Sequence, residues 1–339
     1  MKMNRRQFLK TTAAAASVYP FLGACEQPIR WEKSAYVKAK SSRVAILAAD
    51  SYANGLRDTI IRGIKLFQID LTGKRVLLKP NLVEPSRLIP HMTTHPAVVV
   101  AAAEVFRSWG AEVSVGEAPG HMRDTQFALD ESGIGPALHE AGIPFVDLNY
   151  ETVAWRPNLG GFSRLPGIYF PQSVVAADYV VSLPKLKTHH WVGMTAAMKN
   201  FYGVLPGIKY GWPKNVLHHN GIPETVVDIN CTLPRTLGII DAIDCMEGDG
   251  PILGSKKAAG LVLVGGNVTA LDATAARIMG LDPQRVSYLS RAEHRLGPLD
   301  ERLIQQRGEP WRSVATRFQL LDLVHLRSLR ADADGALVS

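Results

Sequence analysis

The chain has 339 residues, of which 46% are hydrophobic and 20% charged, and this composition is typical of a globular protein with one large core or two smaller ones. Its formal charge is +7, but Lys2, Arg5, Arg6 and Lys10 contribute +4, which leaves 7 − 4 = +3 for the remainder. Because this excess is small and no basic helix is interleaved with aromatic residues, the sequence argues against a nucleic-acid partner.

The first 24 residues have the pattern of an export signal. Arg5 and Arg6 precede an apolar stretch at residues 11–22, which is shorter than the roughly 20 residues of a membrane-spanning helix. The paired arginines resemble a twin-arginine signal, which implies contact with the export machinery. Leu22-Gly23-Ala24-Cys25 resembles a lipobox, although an ordinary cleaved signal is the alternative. The prediction is an exported protein, periplasmic or on the cell surface, attached to a bacterial membrane by a lipid on Cys25.

Beyond this segment we predict a tether at residues 26–42, an α/β domain at residues 43–300, and a final helix with a frayed tail at residues 301–339. The final helix is predicted from the helical spacing of apolar residues across residues 311–329. Residues 149–171 are rich in Gly and Pro and predict an insertion. Thr269 with Asp272 three positions later predicts a capping box.

Short, near-continuously apolar runs alternate with helical patterns in the α/β domain, as is typical of strands covered on both faces. The alternation predicts a mostly parallel, doubly wound sheet flanked by helices. The predicted strands are 43–48, 75–79, 112–116, 144–148, 179–183, 237–241 and 260–265, and the predicted helices are 53–67, 96–109, 126–141, 222–232 and 269–279.

Polar residues follow several of these strands where each one ends. In open α/β sheets, ligands bind at the edge formed by the carboxyl ends of the strands. We therefore expect one rim to gather the polar residues that follow the strands: Lys79, Asn81, Glu117, Lys185, Lys187, Thr188, His189, Asp241, Glu247 and the pair Gly265-Gly266.

Residues 183–221, here called the basic segment, contain five lysines and two histidine pairs but no Asp or Glu. Its charge must be balanced by an acidic segment, a bound anion or solvent. Lys185 and Lys187 are two residues apart, so an extended strand would place both on one side, where they suit a phosphate or carboxylate. A desolvated lysine can also act as a base or as a Schiff-base nucleophile. The alternative is a closed ion network in which these lysines and Lys79 pair with Glu117, Asp241 or Glu247.

Metal binding is a second possibility for the same residues. His189 and His218 are candidate ligands, with Asp241 or Glu247 completing a mixed nitrogen and oxygen shell, but their spacing matches no established metal signature, and the metal is not identified. Cys231 and Cys245 could pair in an oxidising compartment. Two isolated cysteines do not supply the ligands of an iron–sulfur cluster, so no intrinsic cluster is expected, and any other cofactor is unknown.

Several motifs resemble those of a family known as domain of unknown function 362 (DUF362), across roughly residues 43–296. They are Lys79-Pro80-Asn81, the Leu183–His189 motif LPKLKTH, the 198–203 motif MKNFYG and the 246–251 motif MEGDGP. The resemblance implies an α/β domain but brings no settled reaction. Some family members carry ferredoxin-type cysteine clusters, which three cysteines cannot form. The overall plan is also similar to that of nickel-nucleotide-dependent racemases.

The prediction is a protein that binds an anionic small molecule or cofactor at this rim and acts as an enzyme of unidentified reaction. The alternative is a non-catalytic carrier of a metal or cofactor, or an assembly factor for an exported partner. The candidate catalytic residues are Lys185, Lys187, His189, Glu117 and Glu247, and the candidate ligand-binding residues are Lys79, Asn81, Thr188, Lys199, Asn200, Gly203, Lys209 and His218.

Overall fold

The structure is a computed structural model that describes residues 38–84 and 86–330. The signal-like segment with Cys25, most of the predicted tether and the predicted tail beyond residue 330 lie outside the described residues. None of the helices in the described ranges combines the length and the hydrophobicity that a membrane crossing requires.

The described residues form twelve strands and thirteen α-helices, many of them short. The strands are β1 (Ser42–Ala48), β2 (Arg75–Pro80), β3 (Glu112–Glu117), β4 (Phe145–Asp147), β5 (Val153–Pro157), β6 (Gly167–Pro171), β7 (Tyr179–Leu183), β8 (Lys185–His189), β9 (Gly193–Thr195), β10 (Arg235–Glu247), β11 (Ser255–Gly265) and β12 (Ile304–Gly308). The helices are α1 (Leu56–Ile64), α2 (Pro96–Ser108), α3 (Thr125–Ser132), α4 (Ile134–Glu140), α5 (Gln172–Ala176), α6 (Ala197–Asn200), α7 (Gly207–Tyr210), α8 (Asn215–His219), α9 (Ile222–Thr232), α10 (Val268–Ile278), α11 (Ser287–Glu293), α12 (Trp311–Val314) and α13 (Val324–Arg327).

One sheet organises the described domain, in the order β12-β1-β11-β10-β7-β2-β3-β4, with β8 beside β10 and β9 beside β8. Neighbouring strands are parallel except where β11 meets β1 and β10 and where β8 meets β9. The predicted mostly parallel α/β fold is therefore confirmed. Residues 149–171, predicted as an insertion, contain β5 and β6, which pair as a separate two-stranded sheet.

Helices cover both faces of the sheet. Successive residues of a strand point to opposite faces. A Cβ at Gly63 of α1 would touch Val264, whereas a Cβ at Gly265 would touch Leu271 of α10, so these two helices lie on opposite faces. On the α1 face, one apolar core joins α1, α2, α3 and α4 to the central strands.

The direction of β11 corrects part of the predicted rim. β11 runs antiparallel to β10, and Gly265 pairs with Gly238 near the start of β10. Gly265 and Gly266 therefore lie at the end of the sheet opposite the carboxyl ends of β10 and its parallel neighbours. The error arose because an apolar strand pattern does not specify strand direction.

Three predicted helical features were wrong or incomplete. The predicted helix at residues 126–141 is broken at Gly133, whose φ of 75° places it in the left-handed region that glycine favours. The helix predicted over residues 311–329 is instead two short helices, α12 and α13, and the strand β12 precedes them. The predicted capping box also fails, because Asn267 caps α10 by accepting from Ala270 N, while Asp272 binds elsewhere.

Candidate functional site

A cavity of about 180 Å³ lies at the carboxyl ends of β2 and β3, beside β8. A cavity of roughly 150 Å³ can hold a benzene molecule, so this volume accommodates a small ligand. Its lining contains four lysines and four histidines but a single carboxylate; we call it the lysine cavity. These residues are Lys79, Lys187, Lys199, Lys214, His121, His189, His190, His218 and Glu117.

A buried ion pair forms the floor of the lysine cavity. The Lys79 ammonium lies 2.7 Å from the Glu117 carboxylate and donates at 2.7 Å to Asn200 Oδ1. Burial raises the pKa of Glu117 and lowers the pKa of Lys79, while the attraction between the two acts in the opposite sense on each. The pairing of Lys79 with Glu117, which the sequence analysis gave as the closed-network alternative, is therefore present, but it borders a cavity.

Asn200 fixes the position of Lys79. Its Nδ2 donates to the backbone oxygen of Lys79 and to Ser182 Oγ, both at 3.0 Å, and its Oδ1 also accepts from Asn81 Nδ2 at 3.2 Å. The Asn200 amide is thus fully engaged by protein groups. Asn81 Oδ1 is buried in the cavity lining without a hydrogen-bond partner among the described residues, so it is a free acceptor there.

Gly203 is required for the close packing of the ion pair. Its carbonyl accepts from Ala118 N at 2.8 Å, which brings its Cα against Glu117 and Lys79. A Cβ added at Gly203 would collide with Glu117 Oε1 and Lys79 Nζ. Among the candidate residues, Gly203 therefore serves the site through its lack of a side chain.

Two further lysines of the cavity are held by acceptors. Lys187 Nζ donates to the carbonyls of Met92, at 2.9 Å, and Pro251, at 3.2 Å. Lys214 Nζ donates to Asn149 Oδ1 at 3.2 Å and to the carbonyl of Leu205. Burial lowers the pKa of Lys187 well below its ordinary value, assisted by neighbouring lysines, and lowers the pKa of Lys214 to about 7.

Lys199 differs from the other three lysines. It lies on α6, where Asp272 accepts from the first two backbone N–H groups, those of Ala197 at 2.8 Å and Met198 at 2.9 Å. The Lys199 ammonium lies 4.1 Å from the centre of the Tyr202 ring and has no hydrogen-bond or ion-pair partner among the residues that the structure describes. Burial and the charge of Lys79 lower the pKa of Lys199 to about 7.

Burial favours the neutral forms of two cavity histidines, His189 and His218. His189 Nδ1 accepts from Trp191 N at 3.1 Å, so the neutral ring carries its proton on Nε2. Burial and nearby cations lower the pKa of His189 well below its ordinary value and that of His218 to about 4. His121 pairs with Glu84 at 3.2 Å at the edge of the same cavity.

Lys185 occupies a different environment from Lys187. Its ammonium lies 2.6 Å from Asp241 and donates at 2.9 Å to the hydroxyl of Tyr52, which in turn donates to Asp241 at 3.0 Å. Asp241 also accepts from His95 N at 2.9 Å. This buried cluster is a closed ion network of the kind given as the alternative in the sequence analysis, and Lys185 does not line the lysine cavity.

The other predicted site residues are also separated from the cavity. Glu247 accepts from Gln319 N at 2.9 Å and lies 3.7 Å from Lys257, while Thr188 donates to the carbonyl of Gly248 at 2.9 Å. Lys209 is exposed, 5.0 Å from the centre of the Tyr169 ring. These three roles remain predictions.

The predicted metal candidates are not brought together. Asp241 and Glu247 are engaged as described, away from His189 and His218. In the described ranges, no three His, Cys, Asp or Glu side chains are grouped so that they could hold a metal ion. Cys231 and Cys245 are buried free thiols, and burial raises the pKa of Cys231 to about 12.

Four residues of the site were absent from the predicted set: His121, His190, Lys214 and Asp272. His121 follows directly on Glu117-Ala118-Pro119-Gly120, so its position after β3 was a usable signal. Lys214 belongs to the basic segment, but its acceptor Asn149 lies 65 residues earlier in the chain, and no local pattern connects them. Asp272 was assigned to the cap of its own helix, although it binds α6.

Three comparisons place the chain among other proteins. Residues 76–277 match the family described as "Domain of unknown function (DUF362)". The thylakoid-associated protein sll1697 of Synechocystis sp. is 32% identical over 227 residues, which are 66% of this chain and 68% of that protein. The lactate racemase apoprotein of Thermoanaerobacterium thermosaccharolyticum superposes with a TM-score of 0.41 and 15% identity over 72% of this chain, which spans 57% of the racemase chain. Because the family match covers more than half of the chain, the protein belongs to the DUF362 family.

Proposed function

We propose that the lysine cavity binds a small molecule that carries a phosphate or carboxylate group. The observation that carries this proposal is the excess of lysines over carboxylates in the lining, four lysines against Glu117. Lys79 already balances Glu117. The remaining lysines have no carboxylate partner among the described residues, and a bound anion would supply it.

The shifted pKa values support the same proposal. The pKa values of Lys199 and Lys214 are lowered to about 7 because burial disfavours their charged forms. An anion in the cavity would favour the charged forms and raise both pKa values. Binding is therefore expected to take up protons, and affinity should fall as the pH rises through 7, where the free lysines lose their protons.

We propose further that the site catalyses a reaction with a proton-transfer step. Catalytic acids and bases work best when their pKa lies near the operating pH. Lys199 and Lys214, with pKa values of about 7, line one cavity with Glu117, whose pKa is raised by burial. A carrier would need the anion site but not this coincidence of pKa values. Turnover of a bound ligand would separate the enzyme from the carrier.

The test is calorimetric titration with sulfate and with pyruvate at pH 6 and pH 8. Neither probe changes its charge in this range, so a change in affinity reports on the protein. Loss of the Lys199 proton alone lowers affinity about tenfold between these two pH values, because its protonated fraction falls by about that factor. The change Lys199→Met should weaken binding at pH 6 and flatten the pH dependence.

Lys65→Met is the control, because Lys65 is an exposed lysine that lies outside the cavity. It should bind both probes as the wild type does. The absence of binding by either anion to the wild-type protein at pH 6 would sink the proposal. Equal losses in the two lysine variants would show that general surface charge, and not the cavity, attracts the anion.

We also propose that the protein is exported and attached to a membrane through a lipid on Cys25. Support comes from Arg5 and Arg6, from the Leu22-Gly23-Ala24-Cys25 pattern, and from the thylakoid association stated in the name of the relative. Fractionation of cells that express the wild type and Cys25→Ala tests this. The wild type should sediment with membranes and the variant should not, and a soluble wild type contradicts the proposal.

A further inference from the structure

We propose that Lys199 acts as an amine nucleophile that forms an imine with a carbonyl compound bearing an anionic group, of which a 2-oxo acid is the simplest. This inference rests on the proposed anion site and names its class of substrate. Its basis is the geometry of the four cavity lysines, whose amines differ in their hydrogen-bond and ion-pair partners.

Lys199 is the one of these lysines whose amine is unengaged within the described residues. The amines of Lys187 and Lys214 donate to backbone or amide oxygens, and that of Lys79 is held by Glu117 and Asn200. Two acceptors fix the position of an amine, so Lys187 and Lys214 could not move to within bonding distance of a carbonyl carbon without breaking those hydrogen bonds. Lys199 meets only the face of the Tyr202 ring, at 4.1 Å, and is free to attack.

The surroundings of Lys199 also favour the neutral amine, which is the nucleophilic form. Desolvation and a neighbouring cation are the two arrangements known to activate lysine for this chemistry. Lys199 has both, since burial and Lys79 lower its pKa to about 7. At pH 7 about half of its amine is neutral, against roughly 1 in 2,500 for an ordinary lysine.

The other cavity residues suit the remainder of such a substrate. Lys187 and Lys214 each retain a proton for a carboxylate beyond the two that they donate to protein oxygens. Asn81 Oδ1 is a buried acceptor without a partner in the described part of the chain. It could accept a hydrogen bond from the hydroxyl of the first addition product, which is a donor that sulfate does not offer.

The step balances without an oxidant or a further reactant. Lys199 Nζ attacks the carbonyl carbon, so a C–N bond forms and the C–O π bond breaks to give a carbinolamine. The two protons of the amine pass to the oxygen, which leaves as water, and the nitrogen lone pair forms the C=N bond. Cyanoborohydride then delivers hydride to the imine carbon and fixes the product as a secondary amine.

The experiment is trapping with pyruvate and cyanoborohydride at pH 7, followed by intact-mass measurement and peptide mapping. The wild type should gain the mass of pyruvic acid less one oxygen, located at Lys199. Labelling of Lys199 should exceed that of an ordinary surface lysine by at least about tenfold, because the thousandfold advantage in neutral amine is only partly offset by its lower basicity. Labelling spread evenly over surface lysines would overturn the inference.

Lys199→Arg separates this inference from the proposed anion site. Arginine keeps the charge but forms no imine under these conditions, so the variant should still bind sulfate in the calorimeter and should lose the label. Sulfate binding by the wild type without labelling of Lys199 refutes the nucleophile and leaves the anion site standing. Failure of both measurements in the wild type refutes both. Lys65→Arg, the control at an exposed lysine outside the cavity, should retain the label at Lys199.

Discussion

Among single residues, Asn200 and Gly203 determine the arrangement of the charges in the lysine cavity. Asn200 links Lys79 to Ser182 and Asn81 through its amide, and Gly203 allows the chain to pass against Lys79 and Glu117. Both belong to the MKNFYG motif at residues 198–203. The motif therefore has a physical basis, in which Lys199 faces the cavity while its neighbours hold the ion pair in place.

Gly203→Ala should destabilise the protein by about 1–3 kcal/mol, because the new methyl group would overlap the buried ion pair. Urea unfolding of the variant and the wild type measures the difference. Gly120→Ala is the matched control. Gly120 also lines the cavity, but a Cβ at this position would have no atom within 4 Å.

The control should change the free energy of unfolding little, or raise it by up to about 1 kcal/mol through the entropy of the unfolded chain. Equal stability of Gly203→Ala and Gly120→Ala would contradict the role assigned to Gly203. A loss in both variants would indicate that the cavity wall tolerates no added volume anywhere.

The contacts of single residues could be predicted from the sequence where two residues end neighbouring parallel strands. They could not be predicted where the partner is distant in the chain. Lys79 and Glu117 lie at the ends of β2 and β3, so the predicted sheet brought them together, and their pairing was given as the alternative to a ligand site. The i, i+2 spacing of Lys185 and Lys187 predicted a shared environment. Tyr52, 133 residues away from Lys185, draws that amine into another cluster, and the pairing of β8 with β10 is irregular between Asp241 and Met246.

Among the elements, α6 has a decisive position although it is only four residues long. A helix this short is not stable by its own hydrogen bonds, so tertiary contacts must hold it. Asp272 of α10 provides them by accepting from the first two backbone N–H groups of α6. In this way α10, which follows the MKNFYG motif by about 70 residues in the chain, positions Lys199 and Asn200.

Asp272→Ala should therefore destabilise the fold by about 2–5 kcal/mol, since it leaves two buried N–H groups without an acceptor. It should also weaken sulfate binding, because α6 carries Lys199. Urea unfolding and calorimetry measure the two effects. Asn267→Ala removes the cap of α10 itself and should cost about 1 kcal/mol without changing sulfate affinity. Unchanged affinity in Asp272→Ala would disprove the positioning role.

The type of each predicted element was often right because apolar periodicity is local, and 222–232 and 179–183 were placed as α9 and β7. The direction of β11 and the partner of Asp272 are not determined by the local sequence. An apolar run buried on both faces is compatible with either direction, and a carboxylate three residues after Thr269 fits a capping box as well as it fits a contact with another helix. Tertiary packing decided both.

At the scale of the whole molecule, the segment after residue 300 is integral to the described domain. β12 adds a parallel strand beside β1, and Gly248 N donates to Gln319 O at 2.7 Å. Leu329 is buried, and a Cβ at Gly193, next to the cavity strand β8, would collide with its side chain. The α/β domain was predicted to end at residue 300, whereas the sheet and the core continue beyond it.

Phe318→Ala tests this continuity. Phe318 is completely buried, its N–H donates to the carbonyl of Met279 at 3.0 Å, and its carbonyl accepts from Arg330 at 2.7 Å. Removing its ring should lower the free energy of unfolding by about 3–5 kcal/mol, through lost apolar burial and the cavity that remains.

Val324→Ala, at a position that is 83% exposed in the same segment, should change the free energy of unfolding by no more than about 0.5 kcal/mol. A single cooperative transition in urea, shifted only by Phe318→Ala, is expected because the segment unfolds with the domain. A separate early transition for the segment, or equal stabilities of the two variants, would mean that the core ends near residue 300.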